Sequence, residues 1–276
     1  MHVNERQLLE HLKGDSLPVT YAALIRDLEA LGVERGMTLI VHTSMSRLGW
    51  IAGGPQAVIE ALEAVLGNRG NLVMPTHSTQ LTEPARWRNP PVPEPWWSII
   101  REQIPAFDEA LTTTRGMGVV AESFRRQPGV RRSPHPHVSF AARGPDAELI
   151  TAAHVPGTGF GDDSPLGRIY ALGGHVLLLG VDHASDTSLH LAESRAAFPQ
   201  KSVDTQGAPV RVNGVRQWIT FEELDFDASD FASLGHDFAA ETGLEQNGPI
   251  GWGEGRLAPQ RPLVDYAVRW IGAHRA

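Results

Sequence analysis

The sequence contains no cysteine. That one absence excludes disulfides, thiolate metal sites and a thiol nucleophile, and it fits a cytoplasmic setting. Long hydrophobic runs are missing too: no apolar stretch approaches the roughly 18 residues that a membrane span needs. Met1 to Leu12 carries Glu5, Arg6 and Glu10 in place of the apolar centre of a secretory signal. Positive charge is scarce. With 24 Lys and Arg against 32 Asp and Glu, the formal net charge is −8. Such a balance argues against non-specific nucleic-acid binding and mildly favours a cationic partner. Internal repeats, low-complexity segments and clean linkers are also absent, so residues 1–276 are expected to form one domain, as a monomer or homodimer.

What is present points to a loop-rich α/β protein. Hydrophobic residues make up 41% and charged residues 20%, and 28 Gly and 20 Pro imply many turns. Residues 5–33 read as helical, with a break at Asp15–Pro18 and Thr20 as the N-cap of an amphipathic run from Tyr21 to Leu31. Thr38–Val41 reads as a strand, His42–Pro55 as a loop, Gln56–Leu66 as a helix and Asn71–Pro75 as a second strand. That order is a βαβ unit, which requires a parallel pair. Residues 80–115 hold Pro84, Pro90, Pro91, Pro93, Pro95 and Pro105 with Trp87, Trp96 and Trp97, and read as an ordered excursion or a surface loop pinned by tryptophans. Further along, Gly116–Arg126 reads as a helix and Val138–Ala142 as a strand. Residues 175–181 form the most apolar strand, suited to a central position. Thr187–Ala197, 227–243 and 262–274 read as helices. Residues 202–221 read as an antiparallel hairpin turning at Asn213-Gly214.

Eight of the 12 histidines fall between His42 and His190, and three clusters stand out there. The first, from His42 to Gly54, follows a strand, where parallel sheets collect ligands. Its small residues allow backbone N–H groups to approach phosphate oxygens, and an ordinary β–α turn would look the same. The second, Ser133 to Phe140, holds His135 and His137 between prolines, either as ligand-facing groups or as buried structural histidines. The third runs from Val181 to Glu193. There His183 follows the central strand with carboxylates beside it, the arrangement of a general base, while His190 and Glu193 share a helix face. His183, His190 and Glu193 lack the usual spacing of a zinc site, so no bound metal is expected, and a metal-assisted hydrolase stands as the alternative. Gly157–Gly161 follows no predicted strand and is set aside as a nucleotide loop.

Several separate motifs then coincide. Val41 to Pro55, Pro90 to Trp97, Arg115–Gly118 with Ala121-Glu122, Arg132–Pro136 with Ser139-Phe140, Ser164–Leu166, and Leu177–Val181 through His183 to Glu193 closely resemble the aminoglycoside 3-N-acetyltransferases over roughly residues 20–270. The resemblance implies a three-layer α/β/α fold with a largely parallel central sheet and a smaller β-rich C-terminal part. It implies an acetyl-CoA-dependent enzyme that acetylates the 3-amino group of 2-deoxystreptamine aminoglycosides and confers antibiotic resistance; acetylation of a different cellular amine is the other option. It places His42, Thr43, Ser44, Ser46, Arg47, Gly49 and Gly53 on the coenzyme, with Ser133, Ser139, Phe140 and Thr187. It makes His183 the base and Glu122 the residue that orients it or holds the substrate ammonium. Glu83, Trp87, Asp182, Asp186 and Glu193 are the expected contacts of the polycationic sugar. The chain departs from the family at Asp182, where Gly is usual, at Ala184, where Asp is usual, and at Asp186, where Asn is usual. The carboxylate has in effect moved to the other side of His183.

Overall fold

The structure is a computed structural model that describes residues 17–275; the expected helical stretch around Leu8, Leu9 and Leu12 lies outside them. Thr20 caps the first described helix, α1 (Tyr21–Ala30), by accepting a hydrogen bond from the Ala23 amide. The βαβ unit forms as β1 (Thr38–Thr43), α2 (Gly54–Leu66) and β2 (Asn71–Pro75), with β1 and β2 parallel. Strand β5 (His175–Leu179) lies parallel on the other side of β1. Antiparallel strands extend this centre: β4 (Phe140–Arg143) and β3 (Arg131–Arg132) beyond β2, and β9 (Gly253–Pro259) and β8 (Gln246–Ile250) beyond β5. The order is β3-β4-β2-β1-β5-β9-β8, so all strands but β4 and β9 run in one direction.

Alternation along the strands sorts the core into two layers. Leu39, Val41, Leu177 and Leu179 face α1, α2 and α4 (Gly118–Phe124). Ile40, Val176 and Leu178 face the opposite layer. That layer contains α5 (Ala147–Thr151), α6 (Pro165–Ala171), α7 (Ser188–Arg195), α8 (Phe231–Thr242) and α9 (Gln260–His274). Ile40, Val176 and Leu177 are fully buried, and burying each such side chain contributes about 1.5–3 kcal/mol. Both faces of β1 and β5 are covered, which fixes their C-terminal ends rigidly.

A separate two-stranded sheet, β6 (Val203–Val212) with β7 (Val215–Leu224), turns at Asn213 and Gly214 with φ of 50° and 79°. Two positive φ values in a two-residue loop mark the turn whose twist matches the strands. The hairpin accepts the Phe107 amide on the Pro209 carbonyl, and Arg216 donates to the Ile104 carbonyl. Residues 80–115 are short turns plus α3 (Trp97–Gln103), tied down by Trp87 Nε1 to Thr82, Trp97 Nε1 to the Val92 carbonyl and the Arg101–Glu83 pair.

Candidate active site

Strands β1 and β5 end side by side, and the chemistry collects there. After β5, Gly180 adopts φ 67°, and a Cβ at that position would stand 2.7 Å from the Arg47 Cβ. The chain then enters a tight turn, His183–Ser185, capped by the Asp182 side chain on the Ala184 amide. The turn points the His183 ring inward, where it is 3% exposed. Both ring nitrogens meet carboxylates: Nδ1 lies 3.1 Å from Asp186 Oδ2 and Nε2 lies 2.5 Å from Glu245 Oε2. Burial acts to lower the affinity of His183 for its proton, but Asp186 and then Glu245 outweigh it and push the pKa up to about 9. Burial likewise acts to raise the Glu245 carboxyl, yet His183 and Arg256 hold it below its ordinary value. Glu245 Oε1 takes Arg256 Nη1 at 3.0 Å, and Asp186 Oδ1 takes the Ser188 amide at 2.9 Å.

On the β1 side, His42 Nε2 lies 3.3 Å from Thr187 Oγ1 and 4.0 Å from Asp186 Oδ1. Burial lowers its pKa to about 4, overriding the attraction of Asp186, so His42 is neutral where His183 is cationic. Ser44 donates its amide to the Leu179 carbonyl, which ties the β1 loop to the end of β5. Ser46, Arg47 and Gly53 are exposed, Thr43 and Ser44 are half-buried, and Gly49 is buried at φ 89°. The Ser44 and Ser46 hydroxyls lie 3.3 Å apart. Arg47 makes no ion pair among the described residues, and α2 opens at Gly53-Gly54 without a side-chain cap. An uncommitted guanidinium, hydroxyls and an open helix N-terminus suit the phosphates and amides of a coenzyme A. His42, Thr43, Ser44, Asp182, His183, Asp186 and Thr187 therefore come together, joined by the loop after β1.

The remaining expected residues do not join them. Glu122 makes no contact with His183. Burial would raise its carboxyl, but Arg125 and Thr114 outweigh this and hold it at about 2, with Arg126 as a further partner. Ser133, Ser139 and Phe140 are all 0% exposed. Ser133 Oγ serves His154 and the Phe140 amide, and Ser139 Oγ serves Thr76 and Arg132. Glu193 is also 0% exposed. Its oxygens are taken by His190, the Asp227 amide and Arg275, at the edge of a cavity of about 360 Å³. Glu83 and Trp87 sit in the excursion, one paired with Arg101 and the other bonded to Thr82.

His190 stacks on Phe160 at 4.6 Å, and no group of three metal-binding side chains converges among the described residues, so the candidate zinc trio is not assembled. His135 and His137 are buried and pack with His154 and Phe221 of the hairpin. Sequence reasoning missed Glu245. It lies 62 residues beyond His183, just after α8, and no local pattern marks it.

The family model of the aminoglycoside 3-N-acetyltransferases matches residues 40–272. The chain belongs to that family. It is 43% identical over 261 residues to the SPbeta prophage-derived aminoglycoside N(3')-acetyltransferase-like protein YokD of Bacillus subtilis, covering 94% of this chain and 95% of YokD. The crystal structure of YokD superposes with a TM-score of 0.93 over 98% of each chain. AAC-IIIb, solved as a binary complex with CoASH, is 31% identical with a TM-score of 0.84, covering 94% of this chain and 98% of that one. AAC-VIa, solved bound to sisomicin, is 30% identical with a TM-score of 0.83, covering 94% of this chain and all of that one, 100%. Members of the family are acyltransferases that use acetyl-CoA. In this member the Asp186 carboxylate takes the Nδ1 side of the imidazole.

Proposed function

We propose that the chain transfers the acetyl group of acetyl-CoA directly to the 3-amino group of a 2-deoxystreptamine aminoglycoside, with His183 as general base. One observation carries the reading: an imidazole held at both nitrogens by buried carboxylates stands at the joined ends of β1 and β5, next to an exposed loop suited to a coenzyme. Acetyl-CoA supplies an activated thioester. The substrate nitrogen bonds to the carbonyl carbon as the C–S bond breaks. The amine proton is taken up at a His183 nitrogen as one of its two carboxylate contacts gives way, and the sulfur leaves as the coenzyme thiolate. With no cysteine in the chain, a thioacyl-enzyme has no residue to form on, and direct attack is the simplest route.

At neutral pH the free imidazole carries a proton, which it must lose before it acts as a base. A polycationic sugar provides the means: an ammonium group arriving beside an imidazolium lowers its proton affinity by like-charge repulsion. The exposed Asp182 and the net charge of −8 attract such a substrate. Met45 and Ser46 leave their amides without a partner among the described residues, and such donors would stabilise negative charge on a thioester oxygen bound there.

The test is release of free thiol from acetyl-CoA across a panel of aminoglycosides and simpler amines, with mass spectrometry and NMR of the products. Acetyl on the 3-nitrogen is the expected result. No thiol release with any aminoglycoside, or acetyl on another nitrogen, would overturn the proposal. Turnover confined to a simpler amine would assign a different substrate.

A further inference from the structure

Helix α8 contains a glycine, Gly235, in its interior, and glycine is the least favourable residue there after proline. Its backbone does not need a glycine, since it is not among the positive-φ positions. The space does. A Cβ on Gly235 would stand 2.2 Å from both Cδ2 and Cγ of His183 and 2.4 Å from its Cβ, and these are the nearest atoms it would meet. Real Cβ atoms essentially never approach that closely, so the imidazole rests directly on the helix backbone.

We infer that Gly235 is a positioning residue for His183: it lets the imidazole lie against α8, which fixes the plane of the ring while Asp186 and Glu245 fix its two nitrogens. The inference rests on the reading of His183 as the base. Carboxylates at the two ring nitrogens pin the edge of an imidazole, but they leave it free to tilt about the line joining them. The backbone of α8 closes that freedom, and Asp186, Glu245 and Gly235 together leave one orientation. A methyl group at 235 has to displace the ring and so disturb its bonds to the two carboxylates.

The test compares Gly235→Ala, His183→Ala and the double variant, in kcat, KM for acetyl-CoA and thermal unfolding. A displacement of about 1 Å at a reacting group costs on the order of 100-fold, so Gly235→Ala should lower kcat by about that factor. KM for acetyl-CoA should stay within about twofold, because the coenzyme loop is untouched. In the His183→Ala background the ring is gone and the methyl has room. The residual rate should then change by less than about twofold, and the melting temperature should not fall below that of His183→Ala alone.

A near-normal kcat for Gly235→Ala, or equal losses in both backgrounds, overturns the positioning role. Near-normal turnover of His183→Ala overturns the base itself, and the role of Gly235 with it. If Gly235→Ala proves too unstable to purify, the double variant decides: it is expected to fold, and its failure to do so refutes the packing argument.

Discussion

Replacing Glu245 with glutamine removes one of the two anions that hold His183 while keeping nearly the same shape. His183 stands at about 9 against an ordinary 6.5, although burial opposes the rise. At about 1.4 kcal/mol for each tenfold change, the carboxylates favour the imidazolium by roughly 3 kcal/mol net of burial. Glu245 makes the shorter contact, 2.5 Å against 3.1 Å for Asp186. An opposite charge at such a distance shifts a pKa by about one to three units, so Glu245→Gln should lower that of His183 by about one to two. The assay is kcat/KM for the amine between about pH 6 and about pH 10, which reports the free enzyme. The wild-type rate should climb until His183 loses its proton near pH 9. In the variant the inflection should fall to about pH 7–8, and the plateau should be lower because the base is weaker.

Stability should follow the same group. A folded pKa above the unfolded 6.5 gives a contribution that is complete below that pH and lost as pH rises through about 9. Glu245→Gln should therefore cost more stability near pH 6 than above pH 9, with the lost Arg256 pair as a constant part. An unchanged inflection, or a lower plateau at the wild-type inflection, would refute the assignment of Glu245 as the group that sets the base.

Replacing His183 with alanine should cut turnover by about 10²- to 10⁴-fold while coenzyme binding, followed by thermal shift, survives; loss of both together would point to a collapsed fold. Arg47→Ala should raise KM for acetyl-CoA about three- to tenfold with kcat nearly unchanged, an effect that shrinks as salt rises; an unchanged KM would remove Arg47 from the coenzyme site. Glu223→Gln should stabilise the protein at about pH 8 by several degrees. Burial is the largest influence on Glu223 and pushes its carboxyl up to about 7, and the buried His135 Nε2, 3.3 Å away, is itself lowered to about 3. Because the folded carboxyl sits above its unfolded 4.5, its contribution is lost as pH rises through about 7, and a neutral glutamine escapes that loss. Equal melting temperatures for the two proteins at pH 8 would contradict this.

Local chemistry was legible wherever the deciding interaction lies within a few residues. Asn71–Pro75 forms the strand its apolar run predicts, Thr20 caps its helix, and Asn213-Gly214 turns the hairpin. His183 and Asp186 meet because they are three residues apart in one capped turn. Strands β8 and β9 were not legible. Their residues include Gly248, Pro249, Gly253 and Gly255, poor strand formers that join the sheet only because β5 presents an open edge. Ser133 and Ser139 spend their hydroxyls on buried backbone groups, and a hydroxyl that bonds a buried backbone looks the same in sequence as one that bonds a ligand.

The sequence by itself determined the βαβ start, the apolar central strand, the absence of thiol chemistry and the family to which the chain belongs. The first three follow from composition or from short-range order along the chain, and the family from motifs that resemble those of its members. Only the tertiary structure decided which carboxylates hold His183 and what lies under its ring. Glu245 and Gly235 reach the imidazole from elements packed across the end of β5, and such contacts arise from close packing in three dimensions, for which periodicity along one dimension carries no signal.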